Sequence, residues 1–182
     1  MQVLSFVLSM LGLAAMVTAS MVKGKNMKLI LFLVCCGNLL VGASYHIGGS
    51  GINGAAACYA GGIMSICNYG FESRKKPIPM WLLGVYAVAL IVLNLAVGGF
   101  HMLSILVIIA GMTFVMGIAQ PNGAKYRFWT LANLLLWCLY DVLSRSFSVL
   151  PTHAIQVIFT VVGMIIYDRK RPAMPAGVEK AE

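Results

Sequence analysis

The side chains here that can do chemistry are amides, imidazoles and a carboxylate set among leucines, and they recur in one register. Asn38-Leu39-Leu40-Val41-Gly42-Ala43-Ser44-Tyr45-His46 lies 95 positions before Asn133-Leu134-Leu135-Leu136-Trp137-Cys138-Leu139-Tyr140-Asp141. A primary amide both donates and accepts, so a pair of them suits recognition of a polar, neutral solute. His46 and Asp141 hold matching places and can change charge, the imidazole near neutral pH. This is the chemistry of binding and gating rather than of bond breaking. The element that must carry the second set is the apolar stretch 128–147, FWTLANLLLWCLYDVLSRSF. Roughly 20 residues at ~1.5 Å each cross a ~30 Å hydrocarbon core as a helix. An ionisable residue there costs about 2.5–3.5 kcal/mol at mid-depth, so Asp141 and Arg145 are expected to face a bundle interior or a cavity.

Each of these residues also has a plainer reading. Counted at ~1.5 Å per residue from Lys28 and Arg127, Asn38 and Asn133 lie ~15 and ~9 Å in, while His46 and Asp141 lie ~27 and ~21 Å in. The asparagines either join helices by interhelical hydrogen bonds or bind solute from one axial cavity. Asp141 either pairs with Arg145 one turn on, or gates the outer side with His46 as its repeat partner and Tyr45 beside it. Trp137, Tyr45 and Tyr140 are core aromatics or, facing a cavity, stack on a planar solute. His153 and Gln156 stand three apart on one helix face and extend a polar lining. The cysteines Cys35, Cys36, Cys58, Cys67 and Cys138 form no CxxC and no metal-ligand spacing, and read as small buried hydrophobes. Metal, phosphate and nucleotide motifs are absent, so neither a cofactor nor a catalytic residue is expected.

A composition 60% hydrophobic and 10% charged excludes a soluble domain and leaves a multi-pass helical membrane protein. Seven apolar segments are expected, at about 3–22, 28–47, 52–71, 80–97, 99–119, 128–147 and 152–167. With the N-terminus outside, the cytoplasmic side holds Lys23, Lys25, Lys28, then Arg74, Lys75, Lys76, then Lys125 and Arg127, then Arg169, Lys170, Arg171 and Lys180. Of the 13 basic residues only Arg145 falls outside, as the positive-inside rule requires. The net charge of +8 therefore sets topology and implies lipid rather than nucleic acid. The offset of 95 also places Arg74-Lys75-Lys76 on Arg169-Lys170-Arg171, and Leu8, Ser9, Leu11, Ala15 and Thr18 on Leu103, Ser104, Leu106, Ala110 and Thr113. The chain reads as an internal repeat. Segments one to three map on five to seven, and segment four lets the second unit enter the membrane the same way up.

The run Asn133-x-x-x-Trp137-x-x-Tyr140 resembles the Asn…Trp…Tyr signature of the second helix in each SWEET and SemiSWEET triple-helix bundle. The three-plus-one-plus-three plan is similar to that of SWEET sugar facilitators and PnuC-type nicotinamide riboside transporters. Over Asn38 to Trp81 and Leu103 to Lys170 the chain most resembles the YgjV-type bacterial inner-membrane family of that superfamily. Departures are the lack of a first-helix proline, Gly42 as the counterpart of Trp137, and His153 where the SWEET pattern places a substrate-facing Asn. Gly48-Gly49-Ser50-Gly51 also fits the Gly-x-Ser-Gly of rhomboid proteases, with His153 as base, but glycines at a helix junction explain it better.

The fold expected is all-α: residues 1–77 as a first triple-helix bundle, 78–97 as a linker helix, 98–171 as a second bundle and 172–182 as a tail. The function expected is a carrier of the bacterial inner membrane, moving a small polar metabolite by alternating access through a central cavity. Asn38, Asn133, Trp137, Tyr140, His153 and Gln156 would meet solute; Tyr45, His46, Asp141 and Arg145 would gate. Without a carboxylate at mid-depth, downhill facilitation is expected. The rival is a non-transporting scaffold that kept the fold. A homo-oligomer is compatible with either.

Overall fold

The computed structural model describes residues 1–22, 26–49 and 51–168. Among them every regular element is a helix: α1 (Gln2–Met21), α2 (Met27–Gly48), α3 (Ile52–Ser73), α4 (Met80–Gly98), α5 (Met102–Ile118), α6 (Gly123–Leu143) and α7 (Leu150–Tyr167). Lys23, Lys25, Ser50, Arg169, Lys170, Arg171 and Lys180, used above for charge placement and for the protease pattern, lie outside the described residues.

Local chemistry sets the ends of these helices. Asn26 Oδ1 accepts from the Leu29 amide at 3.3 Å, and Asn122 Oδ1 from the Lys125 amide at 3.0 Å, so an asparagine caps α2 and α6. His101 Nδ1 caps α5 by accepting from the Ser104 amide at 3.2 Å. Pro151 opens α7, where its missing N–H costs nothing. Gly49 ends α2 in the left-handed region, at φ 68°.

The caps correct the expected sixth segment. Asn122 starts α6 five residues earlier than apolarity suggests, and the helix stops at Leu143. There Ser146 N–H bonds Asp141 O at 2.8 Å and Arg145 N–H bonds Val142 O at 3.3 Å, around Arg145 at φ 57°. This is a Schellman closure with arginine in the left-handed position. From the new start Asn133 lies ~15 Å along α6, against ~16 Å for Asn38 along α2, so the two amides share a depth.

Cross-helix bonds show that consecutive helices run antiparallel. Ser5–Ser44, Ser9–Thr152 and Asn53–Ser104 contacts gather one set of helix ends. Ser20–Thr160 and Asn68–Ile118 gather the other. These are called here the Tyr45 end and the Arg127 end. Beyond chain neighbours, α1 packs on α7 and α3 on α5, which closes a ring α1–α2–α3–α5–α6–α7. Helix α4 stands outside, against α3 and α5, and buries only Tyr86, Leu90 and Asn94. Close approach needs glycine at two seams. A Cβ on Gly12 would sit 3.2 Å from Gly37 O of α2, and one on Gly163 2.8 Å from Ser20 O of α1.

The molecule is polar inside and apolar outside. Asn38, Asn68, Asn94, Asn133, Asp141 and Gln156 are buried, while Leu4, Phe32, Ile63, Val88, Ile109 and Leu135 are exposed. That inversion is what lipid selects and water does not. Helices α1, α2, α4 and α7 are long and apolar enough to cross a membrane, and α5 is apolar but 17 residues long. The protein is thus a helical membrane protein by the length and composition of these helices.

Candidate functional site

The ring encloses a cavity of about 50 Å³. Asn38 on α2, Asn133 on α6, and His153 and Gln156 on α7 all line it, as does Trp137. Thr113 and Phe114 of α5 and Thr130 of α6 complete the wall nearest Asn133. The volume holds roughly three to five waters, well below the ~300 Å³ of a typical ligand pocket. Two apolar clusters flank it. Met27, Ile30, Leu31 and Ile118 pack at the Arg127 end, and Val41, Leu106, Val107 and Val149 at the Tyr45 end.

Each amide has its nitrogen committed. Asn38 Nδ2 donates to Val34 O one turn back at 2.9 Å. Asn133 Nδ2 donates across to α5, to Ala110 O at 2.6 Å and Thr113 Oγ1 at 3.2 Å. Asn133 therefore joins helices and lines the cavity at once.

Above the amides lies an aromatic layer tied to a buried carboxylate. The Trp137 ring stacks on His153, with centroids 5.6 Å apart and planes at 26°. Tyr45 and Tyr140 close around it at 6.0 and 5.3 Å from Trp137. Asp141 is completely buried. The Tyr45 hydroxyl donates to its Oδ1 and His153 Nδ1 to its Oδ2, the latter at 2.6 Å. Tyr140 Oη accepts from the Gly54 amide at 3.2 Å. Each tyrosine thus reaches from its own helix into the opposite half of the ring.

The surroundings of four residues differ from those expected. Asp141 pairs with Tyr45 and His153, not with His46 or Arg145. Successive helix residues point ~100° apart, so when Tyr45 faces inward His46 cannot, and it stands exposed beside Tyr59. The Schellman closure carries Arg145 off the helix axis, exposed and without an ion pair to Asp141 among the described residues. Tyr140 is absent from the cavity lining and borders a separate, open pocket at the Tyr45 end with Arg145, Asn53 and Gly98. The cysteines also divide: Cys35 and Cys58 are buried, Cys36 and Cys138 half-buried, and Cys67 exposed on α3.

Sequence reasoning missed a second buried charge. Arg127, read as a loop cation, is 2% exposed near the start of α6. Its Nε donates to Asp168 Oδ2 at 2.8 Å, and Nη2 bonds Asp168 Oδ1. Nη1 reaches Ser20 O at 3.3 Å and Val22 O at 3.1 Å, and the guanidinium lies 5.6 Å from the Tyr167 ring centre. The guanidinium therefore clasps the ends of α1 and α7. The available signal was an acid, Asp168, one residue beyond the last apolar helix.

No protein-family model matches the chain, and no curated protein and no solved structure matches it either.

Proposed function

We propose that the protein is a carrier that moves a small polar metabolite across the bacterial inner membrane by alternating access. The observation that carries this reading is the shared cavity. The two asparagines of the repeated register, on separate helices, line one interior space together with His153 and Gln156, among largely apolar neighbours. A scaffold would be expected to pack those amides dry. In this proposal all seven helices cross the bilayer, N-terminus outside, as two parallel triple-helix bundles with α4 as linker. The contacts support it: under the offset of 95, α1 maps on α5 and α3 on α7, so the α1/α7 seam is the counterpart of α5/α3. Ser9 and Ser104, related by that offset, each bond across such a seam, to Thr152 and to Asn53. Membership in the YgjV-type family, beside SWEET and PnuC carriers, belongs to the same proposal and rests on the Asn…Trp…Tyr run.

In this reading Asn38, Asn133, Trp137, His153 and Gln156 meet solute, while Tyr45, Tyr140 and Asp141 close the outer side. The test is counterflow uptake into proteoliposomes with a pooled panel of labelled nucleosides, vitamins, sugars, amines and amino acids. Wild type and Asn133→Leu run side by side, with Gln156→Leu as a second variant because it breaks no interhelical bond. Uptake that both variants lose supports a carrier using this cavity. No uptake by folded wild type would assign the chain to the scaffold class.

A further inference from the structure

Among the groups lining the cavity both asparagines present an acceptor oxygen, while Gln156 and Trp137 also carry donors. Val34 O and Ala110 O can only accept, so each asparagine must turn its nitrogen to them and keep its oxygen free. Asn38 Oδ1 lies against the cavity wall, 3.1 Å from where a Cβ on Gly61 would stand. An ionised carboxylate also only accepts, so His153 spends its Nδ1 proton on Asp141, and Nε2 of the neutral ring remains an acceptor. Beside these acceptors stand the aromatic rings of Trp137 and Phe114, and no lysine or arginine lines the space.

Charge balance points the same way. Asp141 is faced by Tyr45 from α2, Cys58 from α3, His153 from α7, and Cys138 and Tyr140 from its own α6. Only His153 among them can supply a balancing positive charge near neutral pH. A wholly buried carboxylate needs such a partner. An imidazolium would fill that place, and so would a cation in the cavity.

We propose that the cavity takes a small organic cation with N–H donors, an ammonium or guanidinium, in exchange for a proton held by the His153–Asp141 pair. The proposal rests on the carrier reading above. The solute donates to Asn38 Oδ1, Asn133 Oδ1 and His153 Nε2, and lies against aromatic faces that favour cations. The imidazolium gives its Nε2 proton to water on the side to which the cavity is open. One N–H bond breaks, one O–H bond forms on water, and the charge of the site is unchanged. On the other side the steps reverse. An anion finds the imidazolium already balanced by Asp141, and a neutral polyol leaves it in place. Exchange replaces the uncoupled facilitation expected from sequence, because Asp141 acts on the cavity through His153.

The probe is methylguanidinium, which stays charged and so is not trapped by acid as a free base. Proteoliposomes carry a trapped pH dye, with mannitol and succinate as neutral and anionic comparators. An inside-acid gradient of about one pH unit should drive about tenfold accumulation of methylguanidinium, abolished by a protonophore, with matching proton efflux. In weakly buffered detergent solution, binding to the wild type should release about one proton per cation. Asp141→Asn and His153→Gln should each lose that release. The wild-type proton count keeps the test decisive where a variant fails to fold. Methylguanidinium uptake without proton efflux, or uptake of mannitol or succinate instead, overturns the exchange and leaves the carrier standing. No movement of any of the three, by protein that melts cooperatively, overturns both.

Discussion

At the scale of single residues, a few side chains each answer to two demands. Tyr45 packs against Trp137 and Tyr140 and also donates to Asp141. Removing only its hydroxyl leaves the packing and strips a buried carboxylate of one of its two side-chain donors. Such a bond to a charged group is worth about 1–3 kcal/mol. Tyr45→Phe should therefore lower stability by that amount, read from thermal unfolding in detergent, and His46→Phe next to it should be neutral within ~0.5 kcal/mol. Equal effects of the two would mean that Tyr45 contributes bulk rather than a bond. Gly61 answers to space alone: a methyl there meets Asn38 Oδ1 at 3.1 Å and Phe114 at 3.3 Å. Gly61→Ala should reduce solute affinity by encroaching on the cavity, with a smaller cost in stability than Gly12→Ala, whose added Cβ crowds Val41 and the backbone of α2.

At the scale of elements, the seams between helices are held by small residues and, at the Arg127 end, by a buried ion pair. Arg127 has its charge shared among Asp168, Ser20 O and Val22 O. Breaking a buried pair by removing one partner costs about 3–5 kcal/mol, while replacing both by apolar residues is often neutral. Asp168→Ala should be strongly destabilising and Arg127→Met/Asp168→Leu should recover most of the loss; a double mutant as unstable as the single would show that the clasp's worth lies elsewhere. This element was not legible beforehand for a physical reason. Apolarity marks where lipid touches a helix, and α6 begins with a turn that touches protein. Capping by Asn122 and pairing with Asp168 let Lys125 and Arg127 enter the helix, whereas a hydropathy reading ends it at Phe128. The elements themselves followed from apolar runs, but the equal depth of Asn38 and Asn133 emerged only with the true start of α6 at Gly123. The choice between Tyr45 and His46 did not, because adjacent polar residues on one helix are separated by rotation, which only the packing of the neighbouring helices decides.

At the scale of the whole molecule, the ring is fastened at both ends, and that accounts for its small cavity. Tyr45–Asp141 and Tyr140–Gly54 tie α2 and α3 to α6 at one end, and Arg127 ties α6 to the end of α1 at the other. A carrier built this way opens by releasing one fastening while the other holds, so each should control access from its own side. Loosening a fastening by about 1.4 kcal/mol raises the population open on that side about tenfold. Thr130 lines the cavity and serves as reporter when changed to cysteine, in a chain whose five native cysteines are replaced by alanine or serine. With a small membrane-impermeant thiol reagent, Asp168→Asn should speed labelling of Thr130→Cys from the Arg127 side alone. Tyr45→Phe should speed it from the opposite side alone. Labelling that quickens from both sides in either variant would describe a ring that merely loosens, and the fastenings would then be structural ties rather than gates. Side-restricted acceleration by each, in opposite senses, is the behaviour that distinguishes a two-gated carrier from a scaffold sharing its fold.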